Sequence, residues 1–211
     1  MDRFGEQWRD HIQKIQDRWR ALVKDSDVVL VAGDISWAMR LREALPDLML
    51  LHQLPGRKIL IRGNHDYWWQ SIRQVRAALP EGMFALQNDH LVFDQVAICG
   101  ARGWNIPIPD SPTFEDDQRL FMRERQRLDM SLRSVPRDLP KIAMLHFPPI
   151  SATGSGLGFG DILEQNQVQV CVFGHLHGSD HAWAFSGEMN GVRYIFCAAD
   201  AVGFTPTPVF I

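Results

Sequence analysis

Several short apolar runs in this chain end in the same way, on a polar residue of the kind that binds metal ions. Val28–Ala32 closes in Gly33-Asp34, Ile59–Ile61 leads to Gly63-Asn64-His65-Asp66, Ile142–Leu145 to His146, and Val168–Phe173 to Gly174-His175-Leu176-His177. The first of these runs is unbroken and rich in β-branched residues, as expected of a strand buried on both faces of a mostly parallel sheet. In α/β sheets the carboxyl ends of the strands line one crevice, so residues far apart in sequence meet there. This pattern restricts the fold to an α/β class and places the chemistry at the strand ends.

The donor types are one carboxylate (Asp34), one amide oxygen (Asn64) and three imidazoles (His146, His175, His177), with no thiolate. Such a set suits first-row divalent ions, Mn²⁺, Fe²⁺ or Zn²⁺, rather than Ca²⁺ or an iron–sulfur cluster. The glycines before the ligands allow sharp turns and leave room for an ion or a phosphate. Taken singly, each residue has a plainer reading: a histidine at a strand end is often only hydrogen-bonded, and Asp34 could cap a helix over Ile35–Met39. Their joint occurrence after separate strands favours a shared site.

The remaining periodicities fill in the α/β alternation. Phe4, Trp8, Ile12, Ile15, Trp19, Leu22 and Val23 recur at steps of three or four and predict an amphipathic helix at the start. Helices are expected over Ala38–His52, Trp68–Leu79 and Phe114–Leu132, hairpin-like strands around Met83–Cys99, and a further strand at Tyr194–Cys197. Asn105–Thr113, with its prolines, reads as a loop. The charges of Phe114–Leu132, including Glu115-Asp116-Asp117 and Arg123–Arg127, read as a solvated face. The stretch Gly154–Gly160 has neither the dinucleotide fingerprint nor a P-loop lysine and is expected to be a flexible loop beside the site.

Bulk properties exclude several classes. The chain has 211 residues, 22 Lys and Arg against 25 Asp and Glu, and a net charge of -3, so nothing pulls it toward nucleic acid or acidic lipid. Its apolar runs fall far short of the ~20 residues that span a bilayer. The beginning of the chain has no signal-peptide pattern, and Cys99, Cys171 and Cys197 read as buried structural thiols in a cytoplasmic protein.

Gly33-Asp34, Gly63-Asn64-His65-Asp66, His146 and Gly174-His175-Leu176-His177 resemble, in order and spacing, the second to fifth signature blocks of the calcineurin-like metallophosphoesterase superfamily. The contexts Gly33–Ala38 and Gly63–Trp69 are similar to a bacterial metallophosphoesterase or phosphohydrolase branch. The resemblance implies a single α/β domain over residues 1–211, an α/β/β/α sandwich of mixed sheets flanked by helices. It also implies hydrolysis of phosphate mono- or diesters by a metal-activated hydroxide at a two-ion centre, with Mn²⁺ foremost and Fe²⁺ or Zn²⁺ as alternatives. Asp34 would bridge the ions, Asn64, His146 and His175 would complete the second ion's shell, and His177 would bind the first. His65 would act on the leaving group, with Asp66 orienting its ring. The substrate would be a phosphoester; neither a membrane nor a nucleic acid is expected as partner, and the oligomeric state stays open.

One block of that pattern has no counterpart: no Asp-x-His precedes Val28, and Asp10-His11 is adjacent and falls in the first helix. The first strand of the sandwich is therefore expected to be missing, the domain to be truncated at its N-terminus, and the first ion to keep only Asp34 and His177. The alternative is a non-catalytic binding scaffold on the same fold, with a nuclease as a third reading that the acidic balance disfavours. Trp37, Trp68, Trp69 and Trp104 could wall the pocket or fill the core, and Arg102 could contact phosphate or serve structure. His11, His52, His90 and His181 have no motif context.

Overall fold

The computed structural model describes residues 5–136, 138–154 and 158–210. Its β-branched runs form two sheets. In the first, β1 (Val28–Val31), β2 (Arg57–Leu60) and β3 (Met83–Ala85) run parallel, with Leu30 beside Ile59 and Ile59 beside Phe84. The second comprises β4 (His90–Phe93), β5 (Val96–Gly100), β6 (Lys141–Leu145), β7 (Val170–Phe173), β8 (Gly187–Met189) and β9 (Val192–Phe196). Its spatial order is β4-β5-β6-β7-β9-β8, parallel from β5 to β9 and antiparallel at each edge.

The alternation of side chains across each strand builds four layers. Ile142 and Met144 of β6, with Val170 and Val172 of β7, meet Ile59 and Ile61 in a core between the sheets. The opposite residues Ala143, Leu145, Cys171 and Phe173 face Phe121, Leu128 and Leu132 of α4 (Phe114–Arg133) and Leu163 of α5 (Gly160–Gln165). On the far side of the first sheet, Leu60 packs with Ala44 and Leu48 of α2 (Leu41–His52), Val75 of α3 (Ile72–Ala78), and Trp68 and Trp69. The chain is an α/β/β/α sandwich in which the first sheet is parallel and only the second is mixed. No helix among the described residues is long and apolar enough to cross a membrane.

Several expectations need correction. The first helix is broken: a 3-10 turn at Glu6–Trp8 is followed by Asp10 in the left-handed region at φ 54°, and α1 runs only over His11–Leu22. Phe4 lies outside the described residues, as do Ser155, Gly156 and Leu157 of the expected flexible loop. The helix expected from Trp68 starts at Ile72, because the Trp68 indole is tied to Asp66 and the Trp69 indole to Gln87. Met83–Cys99 is not one hairpin unit. Only β4 and β5 pair antiparallel, around Asp94 and Gln95 at φ 47° and 65°, whereas β3 joins the parallel sheet.

The strand β1 is not covered on both faces. It is the edge of its sheet, and its residues are half-buried along a cleft of about 1570 Å³. The cleft is walled by α1 and by the inner face of the second sheet at Ile98, Ile142 and Val172. Nor is α4 uniformly solvated opposite its core face: Glu124 is 1% exposed and pairs with Arg127 at 2.6 Å, with Arg123 and Arg102 nearby.

Candidate metal centre

The site begins with two glycines. Gly33 has φ 92°, and a Cβ there would stand 2.7 Å from Gly63 N and 2.9 Å from His146 Nδ1, so the ends of β1 and β2 can approach this closely only without side chains. The next residue, Asp34, is itself left-handed at φ 55°, and His175 at φ 76°. Non-glycine residues hold such conformations only where their surroundings over-determine them, which happens most at functional sites. At Gly174 the structure shows no such need, since a Cβ would make only ordinary contact with Ala32.

At Asp34, the over-determination comes from Asp66. Its carboxylate is fully buried and accepts from the backbone N–H groups of Gly63, Asp34, Ile35 and Ser36 and from the Trp68 indole, at 2.8–3.1 Å. Burial pushes this carboxyl upward, and the N–H donors oppose the push. One side chain thus pins both ligand-bearing turns. Ile35–Met39 forms no helix, so Asp34 is not a helix cap.

Four predicted residues meet at the strand ends. His146 Nδ1 lies 2.8 Å from the Ala32 carbonyl, which only accepts, and burial holds the ring neutral by lowering its pKa. Its proton therefore sits on Nδ1, and Nε2 presents a lone pair to the site. Around that nitrogen stand Asn64 Oδ1 at 2.7 Å, His175 Nδ1 at 3.1 Å and Asp34 Oδ2 at 3.5 Å. His175 Nδ1 is also 3.0 Å from Asn64 Oδ1, and desolvation together with the neighbouring His146 brings its pKa down to about 4. With the amide oxygen turned inward, lone pairs from an amide, a carboxylate and two neutral imidazoles converge without enough protons to separate them. A divalent cation fits that donor set, and neutral imidazoles are the form it requires.

Of the two catalytic candidates, Asp66 departs from expectation. His65 is at the surface of the site: its backbone N–H donates to Asp34 Oδ1 at 2.8 Å, its Nδ1 lies 3.2 Å from the Tyr67 hydroxyl, and its ring faces Trp37 at 4.9 Å. Asp66 does not orient that ring, because its oxygens are engaged by the backbone and by Trp68. Trp68 and Trp69 are core residues, and the Trp104 indole donates to Asp117. Arg102 stacks on Trp104 and lies 3.9 Å from Glu124. His11 accepts a structural place, with Nδ1 2.8 Å from the Trp8 carbonyl.

His177 belongs to a second group. Its Nδ1 lies 2.7 Å from Asp200 Oδ1, and His181 Nε2 lies 3.1 Å from Asp200 Oδ2. Nearby donors thus fall into two clusters, Asp34–His146–His175 and His177–His181–Asp200, each with donor atoms within 4.8 Å of one another. Sequence reasoning missed Asp200. It follows the strand β9 just as Asp34 follows β1, and the same strand-end rule applied there would have found it.

Facing sheets with imidazole, amide and carboxylate donors gathered at the strand ends make the framework of a phosphoesterase-type hydrolase. Residues 6–179 match the calcineurin-like phosphoesterase family, and the chain belongs to it. Among solved structures, a phosphopantetheinyl hydrolase from Mycobacterium tuberculosis is similar in fold, with a TM-score of 0.55 and 14% identity over 81% of this chain and 78% of that one. A protein of unknown function from Aquifex aeolicus aligns with a TM-score of 0.48 and 14% identity, over 93% of this chain and 80% of its own. No curated protein matches the sequence.

Proposed function

We propose that this chain is a metal-dependent hydrolase of phosphate mono- or diesters. The observation that carries the reading is the convergence of Asp34, Asn64, His146 and His175 on one point with neutral imidazoles and unshared lone pairs. These four hold one divalent ion, and His177 contributes to a second, Mn²⁺ being the first choice and Fe²⁺ or Zn²⁺ the alternatives. When bound, such ions supply charge to the phosphoryl oxygens and acidify water to provide a nucleophile.

The protein's own contribution is placement. Asp66 locks the Gly33 and Gly63 turns, so Asp34 and Asn64 are held before any ligand arrives. His65 stands at the open side of the cluster, its ring against Trp37, where it can protonate a departing alkoxide. The chain works as one domain, in the cytoplasm.

The test is turnover of p-nitrophenyl phosphate and bis-p-nitrophenyl phosphate with Mn²⁺, alongside Mn²⁺ stoichiometry. Turnover should require Mn²⁺, disappear in Asp34→Ala and His175→Ala, and fall about 10²- to 10⁴-fold in His65→Ala with Mn²⁺ still bound. A chain that binds Mn²⁺ but hydrolyses neither ester would be the non-catalytic scaffold instead.

A further inference from the structure

We propose that His181 and Asp200 join His177 in holding a divalent transition-metal ion, with two imidazoles and one carboxylate as its ligands. The inference extends the proposed function and rests on it only for the role of His177. The three side chains come from two segments: His177 caps the 3-10 turn Gly178–Trp183 that carries His181, and Asp200 follows β9. Their donor atoms nevertheless lie within 4.8 Å of one another.

The chemistry of each supports a cation between them. Asp200 is buried to 2% side-chain exposure, and its ion-pair partners among the described residues are these two imidazoles rather than a lysine or arginine. A buried carboxylate needs a positive partner. The Gly178 N–H donates to Oδ2 at 2.9 Å and fixes the group in place. His181 Nε2 is shielded from solvent and makes no hydrogen bond among the described residues, although Oδ2 is 3.1 Å away. Two donors on one tetrahedral zinc ion, each bonded at about 2.0–2.1 Å, stand roughly 3.3 Å apart. The 3.1 Å between His181 Nε2 and Asp200 Oδ2 is near that separation, whereas His177 Nδ1 and Asp200 Oδ1, at 2.7 Å, are at hydrogen-bond distance and would have to part by a few tenths of an ångström to share an ion.

Zn²⁺ is a suitable probe because a set of two histidines and one carboxylate is among its common ligand sets. The metal-free wild-type chain reloaded with Zn²⁺ should bind two equivalents by elemental analysis. His181→Gln and Asp200→Asn should each lose one equivalent, and Asp34→Ala should lose the other. Equal zinc content in wild type, His181→Gln and Asp200→Asn would overturn the proposal. A second readout needs no variant: ¹⁵N NMR of the wild-type imidazoles should show the His181 Nε2 resonance shifting on Zn²⁺ addition, and an unmoved resonance would also refute the site. Ester turnover is measured separately, so loss of turnover with both equivalents retained would count against the hydrolase reading alone.

Discussion

Gly63 lies so close to Asp34 that a Cβ there would overlap both the Asp34 carboxylate and its backbone nitrogen. Gly63→Ala should therefore lower stability by about 1–3 kcal/mol through overpacking, and it should displace Asp34 enough to abolish Mn²⁺ binding. Calorimetric titration against circular dichroism melting separates the two effects, and full metal affinity in the variant would contradict this account. At this scale the ligand-type residues were legible, because Gly33-Asp34 and Gly63-Asn64-His65-Asp66 announce themselves by composition. The job of Asp66 was not. A carboxylate that collects backbone N–H groups from two distant turns leaves no periodic trace in sequence, and only the folded chain shows which donors it meets.

Among the elements, α4 and α5 are joined by Arg125, whose guanidinium forms a two-pronged pair with Asp161 at 2.6 and 2.8 Å and also donates to the Gly158 carbonyl. That hydrogen bonding holds the Asp161 carboxyl below its ordinary value. A carboxyl with a depressed folded pKa binds fewer protons folded than unfolded, so its contribution is present above the unfolded value near ~4 and fades as pH falls through the folded one. The difference in melting temperature between wild type and Arg125→Ala should thus narrow from pH 6 to pH 3, without closing, because the bond to Gly158 does not titrate. An unchanged difference would mean the ion pair contributes nothing. The α4 helix itself was readable from its period to within one residue. The β8–β9 hairpin was not anticipated, although its Asn190-Gly191 turn at φ 51° and 80° is a strong hairpin signal. Two of its three β8 residues are exposed, so no apolar alternation drew attention to it.

The whole molecule follows from two sheets sharing one core, and that much was foreseeable from buried-strand runs alternating with helices. Which strands share a sheet was harder, since β3 and β4 adjoin in sequence yet pair in different sheets. Two of the thiols, Cys99 and Cys171, lie on the other face of the second sheet, in the layer against α4, and Cys197 packs part-buried against the inter-sheet core. Cys99 and Cys171 are fully buried, and desolvation pushes Cys99 and Cys197 up to about 12 and Cys171 upward as well. Cys99 and Cys171 of the native protein should accordingly react slowly with a thiol-exchange reagent, and all three cysteines should titrate in denaturant. Rapid native labelling of Cys99 or Cys171 would show that the core opens, whereas Cys197 lines the cleft and does not bear on it.

The open side of β1 also leaves a dynamic signature. Arg57 N donates to Asp27 O and Ile61 N to Val31 O, so the groups that point toward β2 belong to every second residue, and those of Val28 and Leu30 point the other way, where β1 has no strand neighbour among the described residues. Under native-state deuterium labelling, β1 should display a sawtooth: slow amide protons at Val29 and Val31, fast ones at Val28 and Leu30. A uniformly slow β1 would reveal a backbone seated along that edge.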